Sequence, residues 1–323
     1  MSSGTPQLGK TFSETYKPSG RVPVTGLVLA FVILIPAAIL LGMVYSAAVV
    51  WIPFIKLRGV ITCFYGGALG GMVGMLCRSL KFRNKWIVAL MVLVTVVVSY
   101  YASWAVHQAC VIWRFEGMSD DVVDSLIFGF IPQNIYAWSS YIHDNGLWAM
   151  GKNGNAMSGI GVCILWAVEF LVIAGVAWVS KVTYGTAPFC EDCNLWTEET
   201  PNLAQLPVSP SDPAWAKFAA GDLDAIKRLQ VVQNVPEYVE LQMAACDGCQ
   251  KSDYVSAVGV ALTADKDGEI KKEETDIVRH LRISRAQRDE MQQFAVMLAE
   301  AVEAMDDEID EELQPPSEDD ANA

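Results

Sequence analysis

Four of the eight cysteines fall in two pairs, Cys190-Glu-Asp-Cys193 and Cys246-Asp-Gly-Cys249. A Cys-x-x-Cys turn points two thiolates at one place, and two such turns brought together supply the four sulfurs of a closed tetrahedral Zn2+ site. With every position filled by protein, the ion keeps no open position for a substrate, so the zinc would be structural. Gly248 suits the second turn, whereas Glu191, Asp192 and Asp247 add negative charge to a site that four thiolates already make negative. Two other readings stay open: a redox-active dithiol, which calls for a βαβ setting that the flanking sequence lacks, and unligated thiols. The remaining cysteines, Cys63, Cys77, Cys110 and Cys163, lie in apolar runs where a thiol acts as a small apolar side chain.

Two ionisable residues, Glu169 and His107, also lie inside apolar runs. A carboxylate in hydrocarbon must face a bundle interior, water or a hydrogen-bonding partner. At about 1.5 Å per residue, Glu169 comes level with Ser99, Tyr100 and Ser103, and His107 lies roughly 7 Å further along. This polar site serves either a proton or a cation, or it is a protonated carboxyl bonded to a hydroxyl that keeps helices in register. None of the histidines (His107, His143 and His280) is spaced with Asp or Glu as a metal or general-base motif. Phosphate loops, dinucleotide fingerprints, nucleophile elbows and zinc-protease helices are missing as well, so no catalytic activity is expected.

The elements that must position these residues divide into two halves. Residues 1–181 carry 12 Lys/Arg against 7 Asp/Glu, and residues 182–323 carry 11 against 30. Four uncharged or nearly uncharged stretches, at about 24–50, 59–77, 86–113 and 159–180, are long enough to cross about 30 Å of hydrocarbon. The first is too long for a cleavable signal peptide and is read as a retained span. Arg78, Lys81, Arg83 and Lys85 between the second and third spans mark the cytoplasmic side, with Lys56 and Arg58 in dissent. Parity then puts a 1–23 tail and the carboxyl-terminal half inside, in a multi-pass arrangement that suits a bacterial inner membrane. The outer segment 114–157 holds two short helices, near 120–128 and 132–143, which are expected to lie at the membrane surface. Gly66, Gly70 and Gly74 recur every four residues in the second span, the small-residue pattern of close helix packing in the bundle or of a homo-oligomer. Pro36 should bend the first span.

Beyond Lys181 the pattern turns to strands. Val239, Leu241 and Met243 alternate ahead of the second cysteine pair, and 254–262 and 269–283 are rich in β-branched residues around an Asp265-Lys266-Asp267-Gly268 turn. Residues 184–283 resemble a zinc ribbon, antiparallel strands held by two metal knuckles, and no other part of the chain shares the resemblance. The 52 residues from Asn194 to Ala245 then read as an insertion, irregular around Pro201, Pro207, Pro210 and Pro213, with one helix from Asp212 to about Leu229. Thr263 to Glu274 partly matches an EF-hand loop, but Thr263 replaces the leading carboxylate and a strand replaces the entering helix, so a hairpin turn is expected. Ser284 and Gln287 open a last helix as a capping box, running to about Met305, and 306–323 forms an acidic, disordered tail.

The fold class is therefore an integral membrane bundle of four transmembrane helices followed by a small cytosolic α+β domain, 182–305, that resembles a zinc ribbon with a helical insertion. Its excess of carboxylates repels phosphate and excludes nucleic acid as a partner. What remains is an adaptor, anchored in the lipid bilayer and presenting a zinc-stabilised domain to a protein partner. The alternative is a small oligomeric channel or transporter working through Glu169.

Overall fold

The computed structural model describes residues 14–52, 55–146, 157–182, 187–229, 237–249, 251–266 and 269–312. Trp148, Gly151, Gly154, the strand lead-in at 184–186, Asp267, Gly268 and the end of the acidic tail lie outside them. The chain forms two compact units, 19–186 and a second one made of 1–18 with 187–323.

The first unit is helical. Its four long helices are α1 (Val24–Trp51), α2 (Ile55–Ser79), α3 (Lys85–Glu116) and, after two short ones, α6 (Ile160–Val182). Each is long and apolar enough to cross a membrane. Apolar side chains are abundant on the outside of the long helices, among them Val28, Val32, Leu40, Phe64, Leu93, Leu171 and Val179. Helix α1 runs through Pro36. Helix α2 begins four residues before the expected span, which takes Arg58 out of the loop and into the helix.

Small residues let these helices touch through their backbones. A Cβ on Gly66 would lie 2.8 Å from the carbonyl oxygen of Ile173, and one on Gly70 would run into that of Ala177, both on α6. Gly42 of α1 meets Ser99 of α3 in the same way. Between α3 and α6, helices α4 (Asp120–Phe128) and α5 (Pro132–Asn145) fold back on α3, where the Tyr101 hydroxyl donates to the carbonyl of Phe130 at 2.6 Å.

The second unit is a four-stranded antiparallel sheet ordered β3 (Glu198–Leu206), β4 (Glu237–Ala245), β5 (Asp253–Ala264), β6 (Ile270–Ile283), with a separate hairpin of β1 (Phe189–Cys190) and β2 (Leu195–Trp196). Val239, Leu241 and Met243 point into a core with Val255, Leu281, Trp215 and Phe218. Strand β3 corrects the expectation of irregular chain around Pro201. Proline is tolerated because β3 is an edge strand, and the register slips between Thr200 and Ala204 where Asn202 takes a left-handed φ of 57°. The segment between the cysteine pairs is thus part of the sheet and not an appendage to it. Its single long helix is also corrected: α7 covers Ala214–Ala219, and a 3-10 turn follows at Leu223–Arg228. Gly221, at φ 92°, ends the first piece, yet Trp215, Phe218 and Ile226 are still buried.

Strands β5 and β6 join as a hairpin with Ala264 opposite Ile270, and Asp265 pairs with Lys271 at 2.7 Å. Helix α8 (Arg285–Glu312) starts on the capping box, with the Ser284 amide donating to Gln287 Oε1 at 2.8 Å, and packs Met291 and Ala295 on the sheet. It continues seven residues past Met305, so the first part of the acidic tail is helical. Helix propagation costs little once the nucleus is packed, and Glu is a good helix former.

One backbone pairing comes from the far end of the sequence. Thr15 bridges to Leu281, the Tyr16 amide donates to the carbonyl of His280 and the Arg282 amide to that of Glu14. Tyr16 lies edge-on to Tyr254 and His280. Replacing Gly70 by isoleucine should force α2 off Ala177 and cost about 1–3 kcal/mol, the penalty of overpacking. Thermal unfolding of the detergent-purified protein, against Gly59→Ile where nothing crowds the position, checks it.

Candidate metal centre

The four cysteines converge. The first knuckle is the β1–β2 hairpin, in register Phe189 to Trp196 and Cys190 to Leu195, with a turn through Asn194 at φ 52°. Asparagine tolerates that left-handed geometry better than most side chains. Phe189 and Trp196 meet edge to face at 4.9 Å and stiffen the hairpin base, and Thr197 donates from both its amide and its hydroxyl to the carbonyl of Pro188. The second knuckle is the corner between β4 and β5. Here a Cβ on residue 248 would lie 2.8 Å from Cys193 Sγ, so the second loop position must be glycine for the knuckles to close.

The Sγ atoms of Cys190, Cys193, Cys246 and Cys249 all lie within 4.8 Å of one another. Cys190 and Cys249 are 3.4 Å apart, and Cys246 and Cys249 are 3.9 Å apart. A tetrahedral ion bonded to each sulfur at about 2.3 Å spaces its sulfurs about 3.8 Å apart. The observed distances bracket that value and are far from the bonded length of about 2.05 Å in a disulfide. The four donors therefore fit a metal ion. Cys190 and Cys246 are buried, and Cys193 and Cys249 are half-exposed.

Hydrogen bonding prepares one of the sulfurs. Burial pushes the Cys190 thiol up, but bonds from the Ser252 hydroxyl at 3.3 Å, from the Cys193 backbone and from Cys249 outweigh it and bring the thiol down to about 7. Cys193 is pushed up to about 12, chiefly by its contact with Cys249 and by burial. Of the four thiols, Cys190 is the one whose surroundings favour ionisation. Ser252 was not foreseen, because a hydroxyl that bonds to a sulfur 62 residues away, from just before β5, leaves no spacing pattern.

The polar residues expected near Glu169 are distributed differently. The carboxylate does not bond to Ser99, Tyr100 or Ser103. It accepts from Arg58 Nη2 at 3.1 and 3.4 Å and from the Tyr45 hydroxyl. Thr62 lies 3.1 Å from that same hydroxyl and donates to the carbonyl of Arg58. Glu169 therefore has a basic partner, invisible while Arg58 was assigned to a loop. Tyr100 meets the same helix on either side of the carboxylate, its hydroxyl donating to the carbonyl of Trp166 at 3.5 Å and its ring lying against Phe170. Ser103 donates to the carbonyl of Tyr100 within its own helix. Ser99 accepts from Tyr65 and donates to the carbonyl of Ala38, both at 2.6 Å, tying α2, α3 and α1 together. His107 is buried elsewhere, accepting at Nδ1 from the Trp138 indole at 3.0 Å. Gly66 and Gly70 are engaged with α6, and Gly74 is buried.

Comparison with family models, curated proteins and solved structures gave no match. Function is therefore read from the site itself.

Gly248→Ala should weaken metal retention by roughly 10- to 100-fold, because the added methyl displaces a ligand sulfur. Chelator competition on the full-length protein measures it. Glu169→Gln should cost about 1–3 kcal/mol by weakening the charge-assisted bonds of the half-buried Arg58, whereas Arg58→Met with Glu169→Met should recover most of that loss. Unfolding of the two variants in matched detergent gives the comparison.

Proposed function

We propose that the chain is a membrane-anchored adaptor, in which four transmembrane helices carry a cytosolic domain whose zinc-stabilised knuckles fix a protein-binding surface. The observation that carries this reading is the closed set of four sulfurs at Cys190, Cys193, Cys246 and Cys249. Four protein ligands suit a structural ion, and thiolates on the reducing side of a membrane favour zinc. The knuckles and the strands around them keep the likeness to a zinc ribbon, although the sheet is longer than two knuckles require.

The membrane assignment is supported by the four long apolar helices and by the apolar side chains that cover them outside. A bacterial inner membrane with both ends in the cytoplasm fits the basic loop Arg78–Lys85. Two contacts agree with that topology. Within the bundle, the Arg83 amide donates to the carbonyl of Arg21, so the segment before α1 shares an end with the basic loop. In the other unit, Thr15 pairs with Leu281, as an even number of crossings allows.

A channel or transporter built on Glu169 finds less support. A carboxylate held by a guanidinium and a phenol is already neutralised, and a passing cation would have to displace both to reach it. A homo-oligomer through the α2 glycines would compete with α6 for the same small residues.

The test is co-purification from crosslinked native membranes, with metal content measured on the same preparations. Wild type is expected to carry one zinc per chain and to retain a protein partner, and Cys246→Ser is expected to lose both. A partner retained by the metal-free variant, or a wild-type protein that is recovered alone as a discrete oligomer, would overturn the adaptor reading.

A further inference from the structure

The segment between α3 and α6 contains a cleft that plays no part in the adaptor reading. It lies among α3, α4 and α5 and encloses about 570 Å³, within the range of small-molecule sites. Its chemistry is one-sided. Asp124 supplies a carboxylate, Gln108 and Asn134 supply carboxamides, and Phe128, Trp138 and Tyr141 supply aromatic rings, with no lysine, arginine or histidine among the described lining residues. Asp124 has no hydrogen-bond or ion-pair partner among the described residues.

The aromatic wall is built in advance. Trp138 and Tyr141 stack nearly parallel, 11° apart with centroids at 5.6 Å. The indole N–H of Trp138 is consumed by His107 Nδ1, which is itself buried in α3, so the ring is fixed and its polar edge is occupied. One face of each ring is taken by that stacking, and what the pair retains for recognition is its outer surface, with Tyr141 the more exposed. The Asn134 amide donates to the carbonyl of Phe128 at 2.9 Å, which leaves its oxygen as an acceptor. Fixed π faces, a free carboxylate and acceptor oxygens repel an anion and attract an organic ammonium group. We infer that this cleft binds a small organic cation, an ammonium carried either by a soluble amine or by a lipid headgroup. His107 acts on the site as a positioning residue through Trp138.

The probe is choline, added to full-length protein in nanodiscs of phosphatidylglycerol only and followed by saturation-transfer NMR. Saturable binding is expected, weakened about tenfold or more in Asp124→Asn and also in Tyr141→Leu. The uncharged isostere 3,3-dimethylbutanol should not compete. Asp124 and Tyr141 are both exposed, so elution of each variant as a folded species by size exclusion separates loss of the site from loss of the fold. Nanodiscs containing phosphatidylethanolamine distinguish the sources: displacement of choline assigns the site to a lipid headgroup, and unchanged affinity assigns it to a soluble amine. Absence of saturable binding, equal binding by Asp124→Asn, or competition by dimethylbutanol or a neutral methyl glycoside would overturn the inference.

Discussion

The meeting of the two Cys-x-x-Cys turns is the constraint on which the unit after α6 depends. The β1–β2 hairpin has two residue pairs, too few to persist in water without further support. Phe189 against Trp196 and the two hydrogen bonds from Thr197 give it a base, while its tip sets Cys190 and Cys193 against Cys246 and Cys249. An ion held by the four sulfurs would crosslink the hairpin to the β4–β5 corner. The sheet has its own core on the face that takes α7 and α8, so such an ion would fasten an end that apolar packing does not reach. Close placement of the sulfurs in turn permits the long excursion between them. With both ends pinned, the 52 residues from Asn194 to Ala245 supply an edge strand and the helix that brings Trp215 and Phe218 inward.

A different constraint governs the helical unit, where apolar surface lies outside as well as inside and cannot alone decide how the helices align. Backbone contact at Gly42, Gly66 and Gly70 sets how near they come. Polar contacts then set the register. Tyr45, Arg58 and Glu169 fix α1, α2 and α6 at one level, Ser99 fixes α1, α2 and α3 at another, and His107 with Trp138 locks α5 onto α3. A buried ion pair adds little net stability over a well-packed apolar isostere, because desolvation offsets the attraction. Its contribution here is selective: any slip of α6 along α2 separates the charges, which only the observed register satisfies.

Periodicity and local chemistry made much of this legible. Long apolar runs delimited the four helices, alternation identified Val239, Leu241 and Met243 as core, and the Ser284–Gln287 box marked the start of α8. The cysteine spacing brought out the cluster because two ligands from one turn leave a local signature. What was not legible shares one physical property, a partner distant in sequence. Arg58 reads as a loop charge until the start of α2 is known, and only then does it reach Glu169, 111 residues away. Trp138 and His107, Ser252 and Cys190, and Pro201 on a strand edge depend in the same way on tertiary neighbours. Residues 14–16 carry no strand pattern at all, since three residues cannot display a period.

That short pairing at Thr15 changes what counts as a domain in this chain. Strand β6 ends the sheet and offers an unpaired row of backbone groups, the hazard of any sheet edge. Glu14 to Tyr16 occupy that row at its last turn, and Tyr16 covers Tyr254 and His280. His280 sits at a left-handed φ of 51° with its ring largely buried, and burial pushes the imidazole down to about 4, so it stays neutral beneath the tyrosine. The folded unit therefore needs residues that precede the first long helix as well as those that follow the fourth. A fragment beginning after α6 would bare the β6 edge and the Tyr254 surface, although it would keep all four sulfurs. Completion of the unit therefore draws on chain from both sides of the helical unit, and neither side alone supplies all of its surface.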